Sequence, residues 1–189
     1  MVKTSFWQRC GISLKWMLSL LIFMGFLEFL NHLSQYALSV HGGIIPRDPY
    51  RLWTVFTAPF LHFSPHHYLI NSVSFAMLGG LIILEDRRLF VKLTVFSCVF
   101  AGLAVWCAAR GGSVHAGSSL LIFAYFGFLV ASGWYAKNWK SFFLAVLIIF
   151  FYGGMIFGVL PSDGFISWES HLFGMIAGAL FAKMLGKRK

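Results

Sequence analysis

Six runs of apolar residues divide this chain from end to end, at about residues 12–36, 67–85, 90–109, 118–135, 141–160 and 168–186. A helix rises about 1.5 Å per residue, so runs of about 17–25 residues cross the roughly 30 Å of hydrocarbon in a bilayer. Of the 189 residues, 59% are hydrophobic and only 11% charged, fewer charges than a soluble domain of this size carries. The expectation is an all-α membrane protein with six transmembrane helices. They form one membrane domain over residues 1–189, with no room for a second soluble one. The first run exceeds the apolar stretch of a signal peptide, and no A-x-A-like site follows it, so it reads as an uncleaved first span.

The formal net charge is +9, but its distribution points to topology instead of nucleic acid. Lys3, Arg9, Lys15, Arg87, Arg88, Lys92, Lys137, Lys140, Lys183, Lys187, Arg188 and Lys189 fall at alternate ends of successive spans. Only Arg47, Arg51 and Arg110 lie on the other side. The positive-inside rule then places both termini in the cytoplasm, and no nucleic-acid partner is expected. Cys10, Cys98 and Cys107 form no disulfide framework. Cys98 and Cys107 would stand about 13 Å apart along one helix, too far to pair.

With the N-terminus inside, the second, fourth and sixth spans all begin on the outer face. The longest polar connection, about residues 37–66, is also outside. It holds breakers (Gly42, Gly43, Pro46, Pro49, Pro59) among apolar and aromatic residues such as Tyr50, Leu52, Trp53, Val55 and Phe56. Such a loop is expected to lie in the membrane interface. The cytoplasmic links, Glu85 to Arg88 and Lys137 to Lys140, are short, and the chain has no internal repeat.

Each inward-running span brings polar side chains in its first turns. The second opens His62-Phe-Ser-Pro-His-His67-Tyr-Leu-Ile-Asn71, the fourth His115-Ala-Gly117-Ser118-Ser119-Leu120, the sixth Ser167-Trp-Glu169-Ser170-His171. Ser64 suits a helix cap and Pro65 a first turn, and His67 and Asn71, four apart, share a helix face. If these helices are neighbours, His67, Asn71, Ser119 and His171 converge at one depth. Polar groups at membrane depth are expensive and tend to be functional.

The residue types then suggest roles. A serine hydroxyl is a weak nucleophile until a base takes its proton, and a neutral imidazole can do so. Attack on a carbonyl creates an oxyanion that needs fixed donors. His67, the Asn71 amide and the backbone N–H groups opening the fourth helix can donate. Gly117 permits a tight turn into that helix, and Phe123, one turn below Ser119, can pack on the imidazole. Glu169, two residues from His171, points elsewhere on the helix, and Asp163 lies in the preceding loop, so a Ser–His dyad is expected without a carboxylate.

Other polar residues have plainer readings. His66 and His115 read as interface or capping histidines. Glu28, Asn31 and His32 read as bonding within the bundle or reaching the interface. Gly174, Gly178 and Ala182 form a small-residue stripe of the kind that lets helix backbones approach. His62 and His66 have a spacing metals can use, but no H-E-x-x-H motif is present, and neither metal nor organic cofactor is expected.

These residues resemble the rhomboid family of intramembrane serine proteases. The match runs from about Trp16 to Leu185 and rests on three motifs. The second-span segment His62 to Asn71 is similar to the family pattern whose histidine and asparagine help bind the oxyanion, here His67 and Asn71. Gly117-Ser118-Ser119-Leu120 is similar to the family's G-x-S-G, with the nucleophile at Ser119. Trp168 to Gly174 is similar to the segment bearing the general base, here His171, and Phe123 falls where the family often has an aromatic. Trp53 also fits the family pattern. The resemblance implies a six-transmembrane-helix rhomboid-like bundle around a water-filled cavity open to the outer side. It also implies single-pass transmembrane substrates cut in or near the membrane.

Two residues depart from the family. Leu120 stands where the motif has a second glycine and adds bulk beside the nucleophile, and Thr54 follows Trp53 where many members have arginine. Leu120 motivates an alternative, a catalytically inactive rhomboid-like protein that binds transmembrane helices. A transporter, channel or metal site is a more distant reading. Small size suggests a bacterial inner membrane by analogy.

Overall fold

The computed structural model describes residues 6–161 and 167–186. Lys3, Asp163, Lys187, Arg188 and Lys189 lie outside the described residues. Among the described residues seven α-helices follow in order: α1 (Phe6–Leu33), α2 (Ala37–Gly42), α3 (Pro65–Glu85), α4 (Arg87–Ala108), α5 (Ser119–Tyr135), α6 (Trp139–Tyr152) and α7 (Trp168–Gly186). Short 3-10 helices occupy Pro49–Val55, Ala58–Phe60 and Gly153–Val159. Among the described residues no strand forms, only an isolated β-bridge between Ile44 and His115.

Local chemistry sets the helix starts. Ser64 accepts the His67 N–H and Pro65 occupies the first turn of α3. Asp86 accepts the Arg88 N–H at the start of α4, and Asn138 the Ser141 N–H at α6. These side chains satisfy N–H groups that a helix start leaves without partners. The expected fifth span, 141–160, begins as α-helix and tightens to 3-10 geometry at Gly153, where two adjacent glycines weaken the α-helical preference.

Among the described residues four helical stretches are long and apolar enough to cross a membrane: Cys10–Leu33, Pro65–Glu85, Arg87–Ala108 and Trp139–Val159. By the same length and composition, α5 is a shorter apolar helix of 17 residues, about 25 Å long. It need not match the lipid, because it is the centre of the bundle. Ten consecutive residues, Leu120 to Leu129, are buried on every side of it. Fully buried Tyr125 packs between Phe75 and Phe90, ring centroids 5.6 and 5.4 Å away, and its hydroxyl lies 2.8 Å from Thr94 Oγ1. The outermost helices instead present exposed apolar side chains, Phe23, Phe26 and Phe29 on α1 and Phe142, Phe143, Phe150 and Phe151 on α6, as a lipid-facing surface requires.

The small-residue stripe on α7 packs on α5. An added Cβ at Gly174 would strike the Leu120 carbonyl oxygen, and one at Gly178 would lie 2.7 Å from Phe128 N and 2.8 Å from Ala124 C. Gly127 of α5 returns the contact against the Met175 backbone. Only residues without side-chain bulk let the two backbones touch along this line.

The starts of α3, α5 and α7 share one end of the bundle. His62, just before α3, contacts Ser118 before α5, and His115 contacts Ser167 before α7. At the opposite end the Arg87 guanidinium lies 5.1 Å over the Trp16 ring. The connection between α1 and α3 is not a bare interfacial loop. Tyr50, Trp53 and Phe56 are exposed, as an interface requires, but Val55, Ala58 and Leu61 are buried. Val55 seats on Gly102 of α4, where an added Cβ would lie 2.8 Å from its own Cβ. Arg47 donates to the Ala109 carbonyl (2.8 Å) and Trp106 to the Asp48 carbonyl (2.9 Å), tying the connection to the end of α4. Thr54 is fully buried and bonds Arg51 O at 2.6 Å.

Candidate active site

The segment leading to Ser119 is pinned at three successive points by the α1–α3 connection. His115 exchanges both backbone bonds with Ile44, each 2.9 Å. Gly117 N–H donates to Ala58 O at 2.9 Å, and Ser118 N–H to His62 Nε2 at 3.3 Å. Gly117 has φ +138, a conformation that favours glycine, and it has no room for a side chain. A Cβ there would lie 2.9 Å from His67 Cε1, 3.1 Å from His67 Nε2 and 3.6 Å from Ser119 Oγ. The missing side chain is the space across which His67 and Ser119 face each other. The Gly117 and Ser118 N–H groups are committed to protein acceptors, so they are not spare donors.

A cavity of about 980 Å³ lies over this segment. His67, Asn71, Ser119, Phe123 and His171 all line it, together with Phe63, Ile122, Met155, Arg110 and His115. Three helices that begin at the same end therefore do bring the four expected polar residues to one space.

The His171 ring is held on two sides. Its Nδ1 lies 2.8 Å from the carbonyl oxygen of Gly158. A carbonyl only accepts, so Nδ1 carries the proton and Nε2 keeps its lone pair. Phe123 stacks on the ring at 4.1 Å between centroids and 6° between planes. Phe123 is one helical turn beyond Ser119, so the stack places the imidazole beside the serine's own helix. Asn71 is 92% buried, and its Nδ2 has no hydrogen-bond partner among the described residues. A buried amide donor left open costs about 1–3 kcal/mol, and this one belongs to a residue lining the cavity.

Leu120 does not crowd this space. It is 3% exposed, belongs to the hydrophobic core and does not line the cavity. One residue along a helix turns a side chain by about 100°, so the neighbour of a cavity-facing serine points into the bundle.

Two histidines have more to do than their sequence context suggested. His62 is fully buried. Its Nε2 accepts from Ser118 N–H and lies 3.1 Å from Ser118 Oγ. Burial first, and the neighbouring His67 second, push its pKa down to about 3. His115 is buried as well instead of lying in the interface, and burial lowers its pKa. It sits 2.9 Å from Ser113 Oγ and 2.5 Å from Ser167 Oγ. His66 is exposed while His62 is buried, so the two do not converge. Their spacing loses its helical meaning because the helix begins only at Pro65.

Glu28 and Asn31 bond within the bundle. Asn31 Nδ2 reaches Ser39 Oγ (2.8 Å), the His62 carbonyl (2.6 Å) and, at 3.5 Å, Glu28 Oε2. Buried Glu169 turns away from His171 to Arg110, taking its N–H at 3.3 Å and its Nε at 3.5 Å.

The family model of the Rhomboid domain matches residues 49–188. The chain is also similar to curated proteins of mycobacteria. An uncharacterised protein of Mycobacterium tuberculosis and one of Mycobacterium bovis are each 33% identical to it over 166 residues, covering 84% of this chain and 69% of the relative. An uncharacterised protein of Mycobacterium leprae is 32% identical over 188 residues, covering 91% of this chain and 73% of the relative.

Proposed function

The chain belongs to the rhomboid family and is an integral membrane protein, and on that premise we propose that it is an intramembrane serine endopeptidase. Ser119 is the nucleophile and His171 the general base. His67 and Asn71 stabilise the oxyanion, and Phe123 and Gly117 support the geometry. The observation that carries this reading is the state of His171. With Nδ1–H given to the Gly158 carbonyl, the nitrogen left to accept a proton is Nε2, in a cavity that Ser119 also lines.

The reaction follows from those positions. His171 Nε2 takes the Ser119 hydroxyl proton as Oγ attacks the scissile carbonyl carbon. The carbonyl oxygen becomes an oxyanion, and the unpaired Asn71 Nδ2–H and the His67 ring supply donors. The tetrahedral intermediate collapses, His171 returns the proton to the leaving amine, and an acyl-enzyme on Ser119 remains. Water, deprotonated by the same imidazole, hydrolyses that ester and restores the serine.

The substrates are single-pass transmembrane proteins, reached from surrounding lipid. The domain spans residues 1–189 with six membrane crossings and both termini in the cytoplasm. The site faces the outer side of a bacterial inner membrane, and the reaction calls for no cofactor.

The inactive alternative rested on Leu120, and the placement of that side chain in the core, away from the cavity lining, supports the active reading. Purified wild type and Ser119→Ala, each treated with a fluorophosphonate probe, decide between the readings. Labelling of the wild type alone is expected. A wild type that resists the probe, or a Ser119→Ala protein that still reacts, overturns the assignment.

A further inference from the structure

Polar contacts fasten the first turn of α7 to the segment before Ser119, and the reaction above uses none of them. Their proton directions can be worked out one by one. Ser113 has a single hydroxyl proton and donates it to Arg110 O at 2.9 Å. Its oxygen must therefore accept from His115 Nε2–H at 2.9 Å. His115 Nδ1 is then the lone-pair nitrogen and accepts from the Ser167 hydroxyl at 2.5 Å. Ser167 Oγ accepts in turn from Ser170 N–H at 3.3 Å and from the Ser170 hydroxyl at 2.6 Å.

The result is a one-way chain from Ser170 through Ser167, His115 and Ser113 to a backbone carbonyl. It needs a neutral ring at 115, since an imidazolium has no lone pair for Ser167. The charged groups whose fields reach the ring are Glu169, which favours the imidazolium, and Arg110, which opposes it. The two are paired with each other, and burial favours the neutral ring. The backbone of His115 is fixed by its double bond to Ile44, so of the two ends joined by the chain, α7 is the dependent one. His171 is the residue after Ser170.

We propose that His115 is a positioning residue for the Ser119–His171 reaction, setting through Ser167 where the first turn of α7 holds the base relative to the serine. The inference rests on the reading of the chain as a serine endopeptidase. It assigns His115 no contact with the reacting atoms. It requires one acceptor and one donor at position 115, which glutamine supplies and alanine does not.

The test uses the full chain in detergent, with thermal unfolding followed beside fluorophosphonate labelling and cleavage of a transmembrane reporter. His115→Ala is expected to lower the labelling rate and kcat about tenfold or more, with KM held within about twofold. His115→Gln recovers most of that loss. Ser167→Ala reproduces it, and the double variant His115→Ala, Ser167→Ala loses no more than either single change, because both break one linkage. Full activity in folded His115→Ala overturns the inference, as do losses that multiply in the double variant or a glutamine variant as impaired as alanine. If His115→Ala does not fold, Ser167→Ala and His115→Gln carry the same decision. An unlabelled wild type overturns the endopeptidase reading and this inference with it. A labelled wild type with unimpaired variants overturns this inference alone.

Discussion

Replacing Leu120 with glycine would restore the residue the G-x-S-G motif leads one to expect, and the structure predicts harm from it. The Leu120 side chain is 3% exposed and sits in the core that surrounds α5. Truncating a buried leucine costs about 2–5 kcal/mol through lost transfer energy and the hole left behind. Glycine in a helix adds up to about 1 kcal/mol, less here because 120 is the second residue of α5. The sum, about 2–6 kcal/mol, is a large part of a typical folding free energy. For a chain of this size it corresponds to a fall in unfolding midpoint of roughly 4–24 °C. Nothing is gained in exchange, since Leu120 does not line the cavity. The assay is thermal unfolding and fluorophosphonate labelling of one detergent sample, with Leu120→Ala alongside to separate the hole from the backbone effect. The expected result is a lower midpoint with no faster labelling. A tenfold faster reaction with an unmoved midpoint would refute the placement of this side chain and revive the idea that it obstructs the serine.

Asn71→Ala removes a donor that has no partner, so kcat should fall about 10²–10³-fold while the unfolding midpoint does not fall. A large loss of stability with kcat intact would make Asn71 structural. Gly174→Ala puts a methyl against the Leu120 carbonyl, 3.2 Å from Leu120 C and 3.3 Å from Phe123 Cβ. Overpacking of this kind costs about 1–3 kcal/mol. A shift of α7 on the order of 1 Å would cost about 100-fold in kcat, and wild-type turnover in a folded variant would count against close α5–α7 contact. His62 gives a pH dependence of stability. Its pKa in the fold, about 3, lies below the ordinary 6.5, so the unfolded chain binds the extra proton between those values. Its contribution is complete above about pH 6.5 and is lost as pH falls towards 3, about 2 kcal/mol of it between pH 7 and pH 5. His62→Gln should flatten the fall in unfolding midpoint over that interval, and equal slopes in variant and wild type would contradict the assignment.

Much of this was legible because helical geometry converts spacing into position. Three helices that start at one end bring His67, Asn71, Ser119 and His171 to a single cavity. Phe123, one turn from the serine, had to face the same way, and the stripe of Gly174 and Gly178 marked the line of closest approach. What the sequence concealed depends on groups without a signature. The acceptor for His171 is a backbone carbonyl, and nothing in the sequence marks Gly158 as the residue that supplies it, though an added Cβ there would lie 2.9 Å from Phe123 Cζ. His62 and His115 gained their roles from pairings with Ser118 and Ser167, 56 and 52 residues away in the chain. Periodicity cannot report such separations. Leu120 was misleading because a motif gives identity and not direction, and its side chain points to the core.

The bond between His171 and the Gly158 carbonyl has a consequence for speed. In triads the third member is a buried carboxylate, which both orients the imidazole and offsets the positive charge it acquires as the serine is deprotonated. A carbonyl performs the first task with a dipole and contributes only weakly to the second. The nearby buried carboxylate, Glu169, is paired with Arg110 and makes no bond to the ring. The consequence on the proposed chemistry is an imidazolium that forms without a carboxylate bonded to it, and a turnover set nearer the slow end of serine hydrolysis. Such an enzyme suits a task in which each substrate molecule need be cut only once.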